Sequence, residues 1–232
     1  MSSRIAAWAG LGLAALVIAA PARGQVCEGL PFRGTAAAAA TYVSGDAADG
    51  PYSVRQYGGA FVRQLPGWSP LGTHQVVRLN AAAGQARWQS APRVLPVTRF
   101  EGRQASAGIG YTVDALSNSA VGSYMVCASA ALEGQYWRVG GASAGGATLP
   151  LWLSFGLPLG SAALALVPHA GFGAYARAIS GRSPEGDLRP HGLSPWAAIG
   201  LGLAARGLSL DGTLQHEFHS RQRFVVRAGV GL

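Results

Sequence analysis

The sequence predicts an all-β fold: an antiparallel transmembrane up-and-down β-barrel of about 8–10 strands after a cleaved signal peptide. Three observations carry that reading. The chain opens on a short uncharged apolar run that ends among small residues. Behind it, apolar residues recur at every second position, which is the period of strands and not of helices. Charged residues make up 12% of the chain while glycine occurs 34 times in 232 residues; a soluble domain carries about 25% charge and about 7% glycine.

The N-terminal run is IAAWAGLGLAALVIAA, residues 5–20, preceded by Arg4 and followed by Pro21-Ala22-Arg23-Gly24-Gln25. A basic start, an apolar centre and small residues at a cut site describe a secretory signal peptide. Ala22 and Gly24 set the cut before Gln25; Ala20 and Ala22 would set it before Arg23. With the first choice, residues 1–24 are signal peptide and residues 25–232 form one barrel domain. The run is short for a retained membrane helix, which needs about 20 apolar residues.

The strands follow in order. GTAAAAATYV (34–43) is alanine-rich enough to be helical by propensity, but Tyr42, Val43 and the turn behind them favour a strand. YSVRQYGGAFVRQL (52–65) and HQVVRLNAAAG (74–84) come next. In QASAGIGYTV (104–113), Ala105, Ala107, Ile109, Tyr111 and Val113 alternate with small or polar residues. SYMVCASAAL (123–132), TLPLWLSFGLPL (148–159) and LALVPHAGFGAYARAI (164–179) extend the series; the last is long enough to bend at Pro168 or Gly171. AAIGLGLAA (197–205), LSLDGTL (208–214) and RFVVRAGVGL (223–232) complete it. Tight turns are expected at 157–162 and 205–209, longer polar or Gly-rich loops at 132–147 and 180–195. Short turns on one side and longer loops on the other are the habit of membrane barrels.

The C-terminal strand poses the question of which face is inside. Phe224, Val226, Ala228, Val230 and Leu232 share one face, and Val225, Arg227, Gly229 and Gly231 the other. A soluble sandwich or lipocalin-like binder would turn the first face into its core. A membrane barrel would turn it to lipid.

Export bounds the partners. All 18 basic residues are arginine and the formal charge is +8. The arginines are scattered singly, so a solvated or lumen-facing role, some reaching acidic lipid head groups, outweighs a nucleic-acid partner. The two cysteines, Cys27 and Cys127, are placed by export where disulfides form, and the pair admits one connectivity. The alternative is two buried free thiols. No residue set suggests a metal or another cofactor.

On these residues the mature chain resembles the small outer-membrane β-barrel proteins of Gram-negative bacteria. The signal peptide, dyad-repeat strands and Gly-rich inner positions carry the resemblance. CEGLPF (27–32), the Cys127 strand and TLPLWLSFGLPLG look like a poorly characterised branch of them. The closing strand is similar to the C-terminal targeting segment of such barrels, except that it ends in Leu232 where an aromatic residue is usual. The resemblance implies a cell outer-membrane location, with outer-membrane lipids and the barrel-assembly machinery as partners. It also implies that Phe224, Val226, Ala228, Val230 and Leu232 face lipid and that Arg227 faces a narrow lumen. Asp211, Glu101 and Glu217 are candidate carboxylate partners for Arg227.

The role that follows is structural, adhesive or a narrow, porin-like passage, not evidently catalytic. The densest polar cluster, QHEFHS (215–220), invites comparison with barrel hydrolases that act on lipid. In those, a histidine and a serine two residues apart share a face, whereas His219 and Ser220 are adjacent and fall on opposite faces. His216 and His219 are split in the same way and make a poor metal pair. His169 and His191 stand alone. Trp88, Tyr136, Trp137, Trp152, Tyr175 and Trp196 lie near expected strand ends, where interfacial aromatics belong, with core packing the other reading.

Overall fold

The computed structural model describes residues 24–25, 30–31, 35–46, 52–65, 74–89, 99–119, 122–160, 163–183, 186–188, 191–217 and 221–232. Residues 1–23 of the proposed signal peptide, and Cys27, lie outside them. The described chain forms ten long strands: β1 (Ala36–Asp46), β2 (Tyr52–Leu65), β3 (His74–Gln89), β4 (Arg99–Ser119), β5 (Gly122–Val139), β6 (Ala142–Gly156), β7 (Leu164–Ser183), β8 (His191–Ala205), β9 (Leu208–Glu217) and β10 (Arg221–Gly231). Among the described residues there is no helix. Each strand pairs antiparallel with the next, and β10 pairs with β1 from Arg223↔Gly45 to Gly231↔Ala37. The ten long strands therefore close into an up-and-down barrel. Short two-residue pieces at Gly24–Gln25 and Leu30–Pro31 pair with each other, and Gly186–Leu188 caps the end of β7.

The register fixes the barrel's shape. A row of directly opposed residues runs from Ala170 on β7 through Ile199, Leu214, Phe224, Ser44, Arg55, Gln85, Arg103, Arg138 and Ser143. It returns to β7 at Arg182, twelve residues beyond its start. That stagger over ten strands implies a strand tilt of about 40° and a backbone radius of about 10 Å. A barrel this narrow is largely filled by its own side chains.

The alanine-rich first segment is a strand, because β2 and β10 hold it on both sides; tertiary pairing overrides its helical propensity. Residues 132–147, expected as a loop, are instead the ends of β5 and β6 joined at Gly140–Gly141, with φ of 57° and 82°. Two consecutive positive φ values make the tight hairpin that matches strand twist, and glycine reaches them without steric cost. Likewise β7 continues to Ser183, shortening the loop expected at 180–195.

Apolar side chains lie outside. Leu149, Leu151, Leu153 and Phe155 on β6 are 41–46% exposed, and Ile199, Leu201 and Leu203 on β8 are 42–66% exposed. On β10, Phe224 is 47% exposed while its neighbour Val225 is 5% exposed. The face question posed by the C-terminal strand is thus answered outward, against the soluble-binder alternative. Arg55 and Arg63 bracket the outward run Tyr57, Gly59 and Phe61 on β2. At this tilt they are roughly 20 Å apart along the barrel axis, close to the height of a lipid-facing band.

Candidate functional site

The alternation that turns leucines outward turns polar residues into the lumen, and β7, β9 and β10 supply most of the ionisable ones. Asp211 is the centre of the first group, with its side chain fully buried. Its Oδ1 lies 2.7 Å from His169 Nε2. Its Oδ2 accepts a hydrogen bond from Thr213 Oγ1 at 2.8 Å and lies 3.6 Å from Arg227 Nη1. Asp211 and Arg227 are direct cross-strand partners. His169 comes from β7 and must cross β8 to reach β9. Gly200, its partner on β8, lets it do so: a Cβ there would run into the imidazole.

The second group lies nearer the Glu217 end of β9. Arg177 and Glu217 form a buried ion pair. Tyr175 stacks on Trp196 with ring centroids 5.4 Å apart. The Arg177 and Arg223 guanidiniums each stand about 5.5 Å from the Tyr175 ring, and Arg223 Nη2 donates to its hydroxyl at 3.2 Å. Arg78 packs on Trp152, which contacts Trp196 in turn. Charge paired with charge and laid on aromatic faces is how a buried guanidinium is tolerated. Between the groups remains a cavity of about 210 Å³, with Arg78, Arg223 and Arg227 facing Glu133, Trp152 and Tyr175. It has room for waters or one small solute.

Arg227 sits on the inner side of β10 beside Asp211. Of its other candidate partners, Glu217 is taken by Arg177. Glu101 points outward and pairs with Arg87 at 3.1 Å, because 101 has the outward parity of β4. Cys127 is 1% exposed and clusters with Met125 and Val167. Among the described residues no cysteine is free; the expected partner, Cys27, lies outside them. In the polar cluster, His216 is exposed on the outer face and Glu217 buried on the inner one, while residues 218–220 lie outside the described residues. Among the described residues no group of three or more metal-ligating side chains converges.

The aromatic girdle needs correction. Trp137, Trp152, Tyr175 and Trp196 point inward, and only Tyr136 of the described members is outward, 54% exposed. Parity decides between girdle and interior, and nearness to a strand end does not. The outward tyrosines are Tyr42, Tyr57, Tyr111, Tyr124 and Tyr136, and the first two rings pack 5.1 Å apart. The pairing of His169 with Asp211 was not foreseen. The available signal was the glycine pair Gly200 and Gly202 on the inner face of the intervening strand.

Fold and lumen together define a closed ten-stranded antiparallel barrel with an apolar exterior and an ionic interior. Solved structures similar to the chain include the β domain of the Bordetella autotransporter Brka, with TM-score 0.44 and 11% identity over 86% of this chain and all of that one. The transport unit of the autotransporter AIDA-I from Escherichia coli gives TM-score 0.41 and 11% identity, covering 96% of each chain. No family model and no characterised protein sequence matches the chain.

Proposed function

We propose that this chain is an integral outer-membrane β-barrel of structural role, non-catalytic, with its lumen closed by its own side chains. One observation carries the reading: every strand with described side chains turns uncharged residues outward through its middle, while Arg78, Glu133, His169, Arg177, Asp211, Glu217, Arg223 and Arg227 turn inward. In water that arrangement exposes apolar surface without gain; in lipid it is the favoured one. The paired ions and stacked aromatics across the lumen argue against a wide solute passage. The rim bearing the start of β1 and the end of β10 faces the periplasm, and β10 is the segment offered to the assembly machinery.

Cell fractionation with heat-modifiability on a gel tests this. A band in the outer-membrane fraction that migrates differently without boiling supports it. Recovery in the periplasm or medium without detergent overturns it.

A further inference from the structure

We infer that the outward face of the rim opposite the chain ends is a binding surface for the phosphorylated head groups of an outer-leaflet glycolipid. The inference rests on the membrane reading above and adds a partner to it. Along the register row described for the fold, Arg55, Gln85, Arg103, Arg138, Ser143 and Arg182 are successive neighbours on β2, β3, β4, β5, β6 and β7. The four arginines are all exposed.

Arg103 and Arg138 are directly opposed in the β4–β5 ladder. Like charges directly opposite each other on one sheet face are destabilising. Among the described residues no carboxylate pairs with Arg55, Arg103 or Arg138. The nearby Glu101 is engaged by Arg87, and Asp187 is the register neighbour of Arg182. Arg103 and Arg138 thus concentrate positive charge at the centre of the row, while Arg182 at its end faces Asp187. A phosphate fits that centre well, since a guanidinium fork binds two phosphate oxygens and one phosphate can bridge two arginines.

Position selects a lipid over a free anion. Two residues toward the barrel middle, Arg55 is followed by Tyr57 and Arg138 by Tyr136, both more than half exposed. Beyond them the outward face carries no charge as far as Arg63 on β2. Tyrosines mark the head-group level of a membrane-spanning barrel. The arginine row therefore lies just outside the apolar band, where lipid phosphates sit.

The test uses the full mature chain folded into phosphatidylcholine vesicles, with or without bisphosphorylated lipid A or its dephosphorylated form. The readout is the temperature at which the heat-modified band is lost. Wild type is expected to melt several degrees higher with bisphosphorylated lipid A and unchanged with the dephosphorylated form. R55Q/R103Q/R138Q is expected to fold in phosphatidylcholine and to lose that rise, while R63Q, at the other rim, keeps it. An equal rise in the triple variant, or no rise in a wild-type protein that folds normally in phosphatidylcholine, overturns the inference alone. Failure of wild type to insert into any vesicle overturns the membrane reading as well.

Discussion

Asp211 and Arg227 face each other across the β9–β10 ladder, with Oδ2 and Nη1 3.6 Å apart, and the carboxylate is shared with His169 and Thr213. One acid thus ties β7, β9 and β10 together inside the lumen. Removing it takes a partner from His169, Thr213 and Arg227 at once. Asp211→Ala is expected to cost about 3–5 kcal/mol, as breaking a buried ionic network does. Arg227→Ala is expected to cost less, because Asp211 keeps two partners. The midpoint of heat-modifiability in detergent ranks the two; equal midpoints for Asp211→Ala and wild type would show that the network does not hold the barrel.

Gly200 makes that network possible. His169 lies over it, and Gly200→Ala places a methyl group in the ring's path. The expected cost is about 1–3 kcal/mol, typical of overpacking. Gly59→Ala is the control, since a Cβ there meets only Ala39 O at 3.6 Å. It should leave the midpoint where it is. A drop at Gly59 equal to that at Gly200 would point to a general sensitivity of strand glycines.

Much of the architecture was legible in the sequence because an up-and-down barrel with one apolar and one polar face writes a single rule, period two, along every strand. Phe224, Val226, Ala228, Val230 and Leu232 were identifiable as one face before their direction was known. What remained hidden depends on register. Nothing in the spacing of His169 and Asp211, or of Arg103 and Arg138, shows that they meet; the register of neighbouring strands brings them together, Arg103 opposite Arg138 and His169 opposite Gly200, which faces Thr213. Turns were misplaced for a related reason. Residues 132–147 are rich in glycine, yet all but two of them are strand: Gly134 and Gly145 lie on the outward face, and Gly146 lies inward where a Cβ would meet the β7 backbone.

Ile199 tests which solvent surrounds the barrel. It lies near the middle of β8 and is 66% exposed. Ile199→Arg in a bilayer is expected to cost about 2–4 kcal/mol, the price of arginine near the midplane of a barrel's lipid face. Denaturant-induced unfolding from vesicles measures it, with Ile199→Ala as the milder comparison. A soluble barrel would accept arginine there with little change.

Cys27 and Cys127 are proposed to form a disulfide that fastens the segment ahead of β1 to the wall of the lumen. Cys127 lies on the inner face of β5, 1% exposed, and an exported chain meets an oxidising compartment. A bond closing a loop of about 100 residues would stabilise the fold by up to about 4–5 kcal/mol in the chain-entropy account, less whatever strain it carries. The mature protein, unfolded without reductant, is expected to take up no thiol-alkylating reagent, and Cys27→Ser and Cys127→Ser to take up one equivalent each. Both single variants should lower the heat-modifiability midpoint, and Cys127→Ser by at least as much as Cys27→Ser, since it also sets a hydroxyl against Met125 and Val167. Two equivalents taken up by the wild-type protein purified from cells would mean that the thiols are unpaired, and that the packing of Cys127 against Met125 and Val167 is its whole contribution.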